Sequence, residues 1–259
     1  MTSLIRTGRT GDCINNIIRT GTIALKWAFQ KGLIQNDCFT GIIFCSINYQ
    51  KREVLTLEQA AQIFTCKWKD EKAKLANKVA MCTGMRAGEI LALRLCDIGT
   101  DRLFVRHSYN SFDGLKCCKN GESREVPVLP IIRDELLKLA YKNPFGEGLD
   151  GYVFFGTMAG QPIASKSWLK SLREVCKECK IPIFSKITFH GWRHLYAARM
   201  SDLIEQRKLQ RATGHKTAAM LEHYADHATQ EDFRDLATVA TNLFLPVLEI
   251  VPTSKDLTA

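Results

Sequence analysis

Apolar residues recur at helical spacing along most of this chain, which predicts a mainly α-helical protein. Residues 12–31 place isoleucine, leucine and phenylalanine on one side and reach Gly32, a typical C-terminal stop. Thr56 and Gln59 form a capping box at the start of another helix, and Pro130 begins a later one. The predicted helices cover 12–31, 56–66, 70–82, a short piece from Glu89, 130–143, 165–180, the stretch after Thr188 and the stretch before Pro246.

The hydrophobic period changes from helical to two between Asp97 and Val128. The segments LFVRHSY and SREVPV alternate as strands, and DGLKCCKNGE between them is typical of a hairpin tip. A short apolar run at 152–155 predicts one more strand. The chain therefore combines helices with a small amount of β-structure.

Length and composition are those of a globular protein with one large or two small domains. The 259 residues are 46% hydrophobic and 24% charged. No apolar run approaches the roughly 18 residues that cross a membrane, and the opening MTSLIRTGRTGD lacks the apolar core of a secretion signal. Ten cysteines in this context indicate reduced thiols and a cytoplasmic protein without a membrane partner.

Charge divides the chain into a basic body and an acidic tail. The formal net charge is +9, but the residues after Tyr224 hold two basic and six acidic side chains, so that 1–224 carry +13. A basic body favours a polyanionic partner, and the tail favours a different one. A basic protein with no such partner would have the same composition.

The strongest chemical signal lies between His190 and Tyr224. His190 and Arg193 are three residues apart on a predicted helix and should leave from one face. Gly214 breaks the next helix, His215 follows it, and Tyr224 comes nine residues later. No acidic residue is spaced among them as in a metal site. The pattern suggests attack on a phosphate by a protein nucleophile.

Three motifs together resemble the tyrosine recombinases, the phage-integrase family. TGMRAGEILALRLCDI at 83–98 resembles the first arginine box, HGWRH at 190–194 the His-x-x-Arg box, and TGHKTAAMLEHY at 213–224 the box with a second histidine and the nucleophilic tyrosine. The resemblance spans about residues 55–230. It implies a mainly α fold with a small three-stranded antiparallel sheet, double-stranded DNA as substrate, and strand cleavage with neither metal nor cofactor.

The resemblance assigns Arg86 and Arg193 as clamps on the scissile phosphate, because a planar guanidinium can donate two bonds to the charge that develops there. A lone arginine is more often a surface charge, but both lie inside matching boxes. Glu89, three residues after Arg86, would orient its guanidinium.

Tyr224 is the predicted nucleophile, and the two histidines are its predicted neighbours. A phenol of pKa near 10 needs nearby positive charge or a base in order to attack. His190 would accept the phenol proton, and His215 would donate to a nonbridging oxygen. An isolated tyrosine or histidine is usually a packing residue, so these roles depend on the family motifs.

A lysine in the hairpin tip would protonate the leaving 5′-oxygen. Lys119 precedes Pro127 by eight residues and fits the family pattern of a lysine followed by Arg-x-Val-Pro. Lys116 is the rival candidate. A solvated hairpin lysine would explain either residue equally well.

Two groups of metal-binding residue types are weaker alternatives. His190 with His194, and His223 with His227, have the i, i+4 spacing of a zinc helix, but the first pair has Gly191 where the zinc motif His-Glu-x-x-His has glutamate. The cysteines at 117, 118, 176 and 179 could supply thiolates. Cys176 and Cys179 extend an apolar helical stripe, which favours packing.

The resemblance also divides the chain. Residues 1–50 look like the last helix of a truncated core-binding domain with a linker, 51–228 the catalytic domain, and 229–259 a tail helix for contact with a neighbouring protomer. An apolar stripe in that tail could instead pack on its own domain.

We therefore expect a site-specific recombinase or integrase of a mobile element, assembling on DNA as a homo-oligomer and in the synapse as a tetramer. A type IB topoisomerase-like enzyme and a catalytically silent DNA-binding regulator remain alternatives.

Overall fold

The structure, a computed structural model, describes residues 6, 8–46, 54–117, 123–205, 209, 213–214 and 230–249. The chain forms two compact units, Met1–Arg52 and Glu53–Ala259. The predicted three-part division at residues 50 and 228 stays a prediction. Within the described ranges, no helix is both long and apolar enough to cross a membrane.

Residues 8–46 of the first unit contain one long helix, α1 (Gly11–Gln30). Thr10 caps it by accepting a hydrogen bond from the backbone N–H of Cys13. Asn15 is buried and holds the following segment, donating to the carbonyl oxygen of Cys45 at 2.9 Å and accepting from its N–H at 2.8 Å. The helix predicted over 12–31 is confirmed.

The second unit is built around helix α3 (Glu71–Thr83), which follows α2 (Leu57–Thr65). Thr56 and Gln59 form the predicted capping box of α2. Most of α3 is buried, and its alanines allow neighbouring helices to approach closely. Those neighbours are α5 (Pro130–Ala140), α6 (Lys166–Glu178) and α7 (Gly191–Ser201). Helix α3 therefore supports the segments that contain the first arginine box and the His-x-x-Arg box.

The short helix α4 (Ala87–Leu91) joins α3 to the strands and begins just after Arg86. It lies against strand β2 (His107–Asn110). Gly88 is required at this contact, because a Cβ atom there would lie 2.6 Å from the hydroxyl of Ser108 and 2.9 Å from the carbonyl oxygen of Tyr109. The glycine thus sets the distance between the arginine box and the strands.

In the part of the chain that the structure describes, the regular β-structure consists of two antiparallel pairs. Strand β1 (Arg102–Val105) pairs with β4 (Arg124–Pro127), and β2 pairs with β3 (Gly114–Cys117). Helices with a small antiparallel β-structure were predicted and are confirmed, but not the single three-stranded sheet. The reason is register: extending the Val105–Arg124 pairing would place residue 107 opposite 122, whereas His107 faces Cys117. One continuous ladder cannot satisfy both registers.

The strand predicted at 152–155 is reduced to isolated bridges. Tyr152 bridges to Arg94 and Phe155 to Pro162. Because this segment pairs with loops on both sides, it forms no regular ladder.

The tail forms helix α8 (Gln230–Glu249), which continues through Pro246 instead of ending before it. Phe244 and Val247 are buried on either side of the proline, and this packing supports the helix despite the missing N–H. Together with Leu236 and Ala240 they form a face that lies on α2, α3 and β4. The apolar stripe is thus buried within its own unit, as in the less favoured interpretation. Contact of 229–259 with a protomer stays a prediction.

Candidate active site

Arg86 is placed by the end of α3 and the start of α4. Gly84 ends α3 in the left-handed conformation, with φ 64°, and a Cβ atom there would lie 2.6 Å from the ring of Tyr196. The side chain of Arg86 is 32% exposed. Its Nη1 donates to Oε1 of Glu89 at 2.8 Å, and its Nη2 lies 3.4 Å from the carbonyl oxygen of Gly214. The predicted orienting role of Glu89 agrees with this geometry.

Arg193 is buried, with 1% of its surface exposed. Its Nη1 donates to the carbonyl oxygen of Gly84 at 2.9 Å, and its Nη2 donates to that of Thr213. Burial and the nearby charge of Arg86 lower the pKa of the guanidinium to about 10, although the charge of Glu89 opposes the decrease. A group with this pKa stays protonated at neutral pH.

Both predicted phosphate-binding arginines therefore reach adjacent carbonyl groups. Arg193 binds that of Thr213 and Arg86 that of Gly214, although these residues come from segments far apart in the chain. The next residue is His215. The structure thus brings the first arginine box, the His-x-x-Arg box and the start of the last motif together.

His190 does not lie inside the helix as predicted. It occupies the cap position before α7, because a turn closed by the N–H of Gly191 and the carbonyl oxygen of Thr188 precedes the helix. Its side chain is exposed, whereas that of Arg193 is buried. The expectation that both leave from one face stays a prediction. The ring of His190 lies edge-on to His194, with 4.9 Å between the ring centres.

Three predicted catalytic residues, Lys119, His215 and Tyr224, lie outside the described residues. The rival lysine, Lys116, is on β3 and binds Asp113, with 2.8 Å between Nζ and the carboxylate oxygen. This ion pair lowers the pKa of the Asp113 carboxyl through a hydrogen bond and the charge of Lys116. Lys116 thus has a structural partner at the hairpin turn.

A third arginine was not predicted as a site residue. Arg124, the first residue of β4, donates from Nη1 to Oε1 of Glu89 at 3.0 Å and from Nη2 to Oε2 at 2.7 Å. Burial alone would raise the pKa of the Glu89 carboxyl, but the hydrogen bonds and charge of Arg124, together with the hydrogen bonds from Arg86, outweigh burial and lower the pKa. The Arg-x-Val-Pro pattern contained this residue, without indicating its partner.

The structure describes some of the alternative metal ligands, namely residues 117, 176, 179, 190 and 194. Among the described residues, no three histidine, cysteine or acidic side chains are grouped as a metal would require. Cys176 is buried in the core, in agreement with packing, and Cys117 is exposed. Residues 118, 223 and 227 lie outside the described residues.

The sequence profile of the Phage integrase family matches residues 50–231, which contain every arginine and histidine discussed above. The chain belongs to the phage integrase family. This membership confirms the resemblance drawn from the three motifs.

Two curated relatives of this integrase-family chain are tyrosine recombinases. XerC of Rhodospirillum centenum is 24% identical over 217 residues, 78% of this chain and 58% of the relative. XerD of Halalkalibacterium halodurans is 23% identical over 193 residues, 71% of this chain and 60% of the relative. The chain therefore spans less than two thirds of the length of either relative.

Solved structures of similar fold include two DNA-bound integrases. The Tn1549 transposon integrase with transposon right end DNA is 18% identical, with a TM-score of 0.68 over 93% of this chain and 82% of that one. The lambda integrase bound to DNA is 20% identical, with a TM-score of 0.59 over 87% and 77%. These similarities confirm the fold of an integrase-family chain.

Proposed function

We propose that this protein is a site-specific DNA recombinase, a tyrosine-type strand transferase of the integrase kind. The observation that carries the proposal is the convergence of Arg86 and Arg193 on the adjacent carbonyl groups of Thr213 and Gly214. A pair of guanidinium groups at the segment that leads into His215 suits a phosphodiester, whose charge increases in the transition state. Net charge of +13 on residues 1–224 supports a DNA substrate.

In the proposed reaction, the Tyr224 phenolate attacks a phosphodiester of double-stranded DNA. His190 accepts the phenol proton, and Arg86, Arg193 and His215 stabilise the nonbridging oxygens. The bond between phosphorus and the 5′-oxygen breaks, and Lys119 protonates that oxygen. The products are a 3′-phosphotyrosyl link and a free 5′-hydroxyl. A 5′-hydroxyl of a partner strand then attacks the link, so the bond energy is kept without ATP.

Relatives suggest the setting of this reaction. One solved integrase of similar fold belongs to a transposon, and another is a lambda integrase tetramer bound to a Holliday junction, with a TM-score of 0.57. We propose that this chain likewise serves a mobile element, acts in the cytoplasm, and forms a homo-oligomer on DNA with a tetrameric synapse. The acidic segment 229–259 would contribute contacts between protomers.

The test is covalent trapping on a nicked suicide duplex, which loses the short 5′-hydroxyl strand after cleavage. Wild-type protein should give a protein–DNA adduct, and Tyr224→Phe should give none while binding DNA normally, because it loses one hydroxyl and no charge. Tyr141→Phe is the matched control, since Tyr141 is 74% exposed at the end of α5. An adduct that persists in Tyr224→Phe would place the nucleophile elsewhere.

A second measurement distinguishes the recombinase from its alternatives. The adduct should form in the presence of EDTA, because guanidinium and imidazole groups supply the charge stabilisation. Strand exchange between two duplexes should follow in the intact protein. Religation without any exchange would indicate a topoisomerase-like enzyme, and absence of an adduct would indicate a DNA-binding regulator.

A further inference from the structure

Arg124 forms a two-pronged ion pair that leaves little freedom to Glu89. Its two terminal nitrogens bind the two different carboxylate oxygens at 3.0 and 2.7 Å. The Glu89 side chain is 3% exposed and that of Arg124 is 12% exposed. Parallel bonds from a planar guanidinium fix the plane of a carboxylate as well as its position.

The same carboxylate binds Arg86 twice. Oε1 accepts from Nη1 of Arg86 at 2.8 Å, and Oε2 accepts from the backbone N–H of Arg86 at 2.8 Å. Each oxygen of Glu89 therefore binds both arginines. A rotation of this carboxylate would move the Arg86 guanidinium, and the fork of Arg124 opposes that rotation.

Arg124 also lies beside the residue that precedes His215. A Cβ atom at Gly214 would lie 3.6 Å from Nη1 of Arg124, while the carbonyl oxygen of Gly214 faces Nη2 of Arg86. Arg124 would thus contact any side chain at position 214, and it is linked through Glu89 to Arg86.

We infer that Arg124 is a positioning residue for strand cleavage, which acts through Glu89 to hold the Arg86 guanidinium against the scissile phosphate. This inference rests on the proposed function. Arg124 itself need not touch the phosphate, because its fork is directed at Glu89. A lysine would keep the positive charge beside the carboxylate but could not supply two bonds of fixed geometry.

The main experiment compares single-turnover cleavage by Arg124→Lys, Arg86→Lys and the double variant. Arg124→Lys should cleave about 100-fold more slowly, the effect of a misplaced transition-state contact. The double variant should match Arg86→Lys within about twofold, because both changes act on one contact. Independent, multiplying defects would contradict positioning through Arg86.

Arg102→Lys is the matched control. Arg102 lies on the paired strand β1 and donates to both carboxylate oxygens of Asp101, at 2.7 and 3.0 Å. The Arg102→Lys variant therefore also loses a pair of hydrogen bonds from a guanidinium to a carboxylate, on the strand that pairs with β4. Its cleavage rate should stay within about twofold of wild type, and an equal loss in both variants would indicate a general effect on the sheet.

A scissile methylphosphonate gives a readout that a merely structural role would not change. It replaces a charged nonbridging oxygen by a methyl group, so correct placement of Arg86 matters less. On this substrate, cleavage by Arg124→Lys should be less than about tenfold slower than cleavage by wild type. The effect of the substitution on the transition-state free energy would then be at most half of that on normal DNA. An unchanged defect would overturn the inference, as would rescue by a 5′-bridging sulfur, which would place the effect at the leaving group.

Circular dichroism first establishes that each variant is folded. If Arg124→Lys is unfolded, Glu89→Asp provides the same test, because it shortens the bridge while retaining Arg124. A wild-type protein that forms no adduct contradicts the proposed function itself. An active wild type with an unaffected Arg124→Lys contradicts only the role of Arg124.

Discussion

The guanidinium of Arg193 donates a 2.9 Å hydrogen bond to the carbonyl oxygen of Gly84, 109 residues earlier in the chain. The bond attaches the start of α7 to the end of α3 inside the protein, where Arg193 has almost no exposed surface. Arg193 is therefore a structural connection between two motifs as well as a predicted phosphate ligand.

Arg193→Lys should lower both stability and cleavage. A lysine cannot reach the carbonyl oxygens of Gly84 and Thr213 together, and each buried acceptor left unpaired costs about 1–3 kcal/mol. Cleavage should fall about 100-fold or more, the range for loss of one preorganised donor. Chemical unfolding and suicide-substrate cleavage measure the two effects.

Arg173→Lys is the control for Arg193→Lys. Arg173 also donates two hydrogen bonds to the backbone, from Nε at 3.1 Å and Nη2 at 2.9 Å, but both reach the carbonyl oxygen of Ile187. It should lower stability slightly and leave cleavage unchanged. A comparable fall in cleavage would show that loss of any such bond disturbs the site.

Lys119→Ala should slow cleavage far more than Lys116→Ala. The ion pair of Lys116 with Asp113 gives it a structural role at the hairpin turn, whereas Lys119 has the family spacing to Pro127. If Lys119 is the general acid, a 5′-bridging sulfur should restore cleavage, because a thiolate leaves without a proton. Equal defects in both variants, or no restoration by sulfur, would contradict this assignment.

The ion pairs of Glu89 should make stability depend on pH in the acid range. Folding lowers the pKa of this carboxyl below its usual 4.5, so the ionised form stabilises the fold above that pH. The contribution is lost as the pH falls through the lowered pKa. Glu89→Gln should lower the free energy of unfolding by about 3–5 kcal/mol at pH 7. The difference in this free energy between the variant and wild type should become smaller as the pH falls below 4.5.

Urea unfolding at a series of pH values measures this narrowing. Glu125→Gln is the control, because Glu125 pairs with Arg102 but its side chain is 44% exposed. The free energy of unfolding of Glu125→Gln should lie close to that of wild type at every pH. If the free energy of unfolding of Glu89→Gln differs from wild type by the same amount at every pH, ionisation of Glu89 does not contribute to stability.

Phe244→Ala should destabilise the isolated chain by about 3–5 kcal/mol, because it removes a buried aromatic side chain. The ring of Phe244 has no exposed surface and is stacked on that of Tyr196, with 5.7 Å between the ring centres. Thermal unfolding without DNA measures the effect. If only DNA-bound assembly changes, the tail helix leaves this face in solution and packs on another protomer.

Much of the site could be predicted because it depends on local sequence. The capping box at Thr56, the glycine that ends α3 and the position of Arg86 before α4 are all properties of a few neighbouring residues. The resemblance to the family then indicated that the three motifs, which are far apart in the sequence, belong to one site.

The errors in the predictions arise from interactions between distant segments. Alternation of apolar and polar residues predicts strands but does not indicate which residues pair across them. It therefore could not show that the strand ending at Val105 and the strand starting at His107 pair with different partners. Helical spacing could not show that the helix after Thr188 begins only at Gly191, which leaves His190 at the cap position. The pairing of Arg124 with Glu89 joins residues 35 apart, and no periodicity reports such a contact.

The hydrogen bonds of Arg124 and Arg86 also set an order in which the site can be completed during protein synthesis. Glu89 and Arg124 are 35 residues apart, so their ion pair can form once β4 has left the ribosome. The contact of Arg86 with Gly214 spans 128 residues and must wait for a much later part of the chain. Contacts of such long separation form slowly and late. In a nascent chain, Glu89 can therefore be held by Arg124 before the contact between Arg86 and Gly214 completes the proposed site.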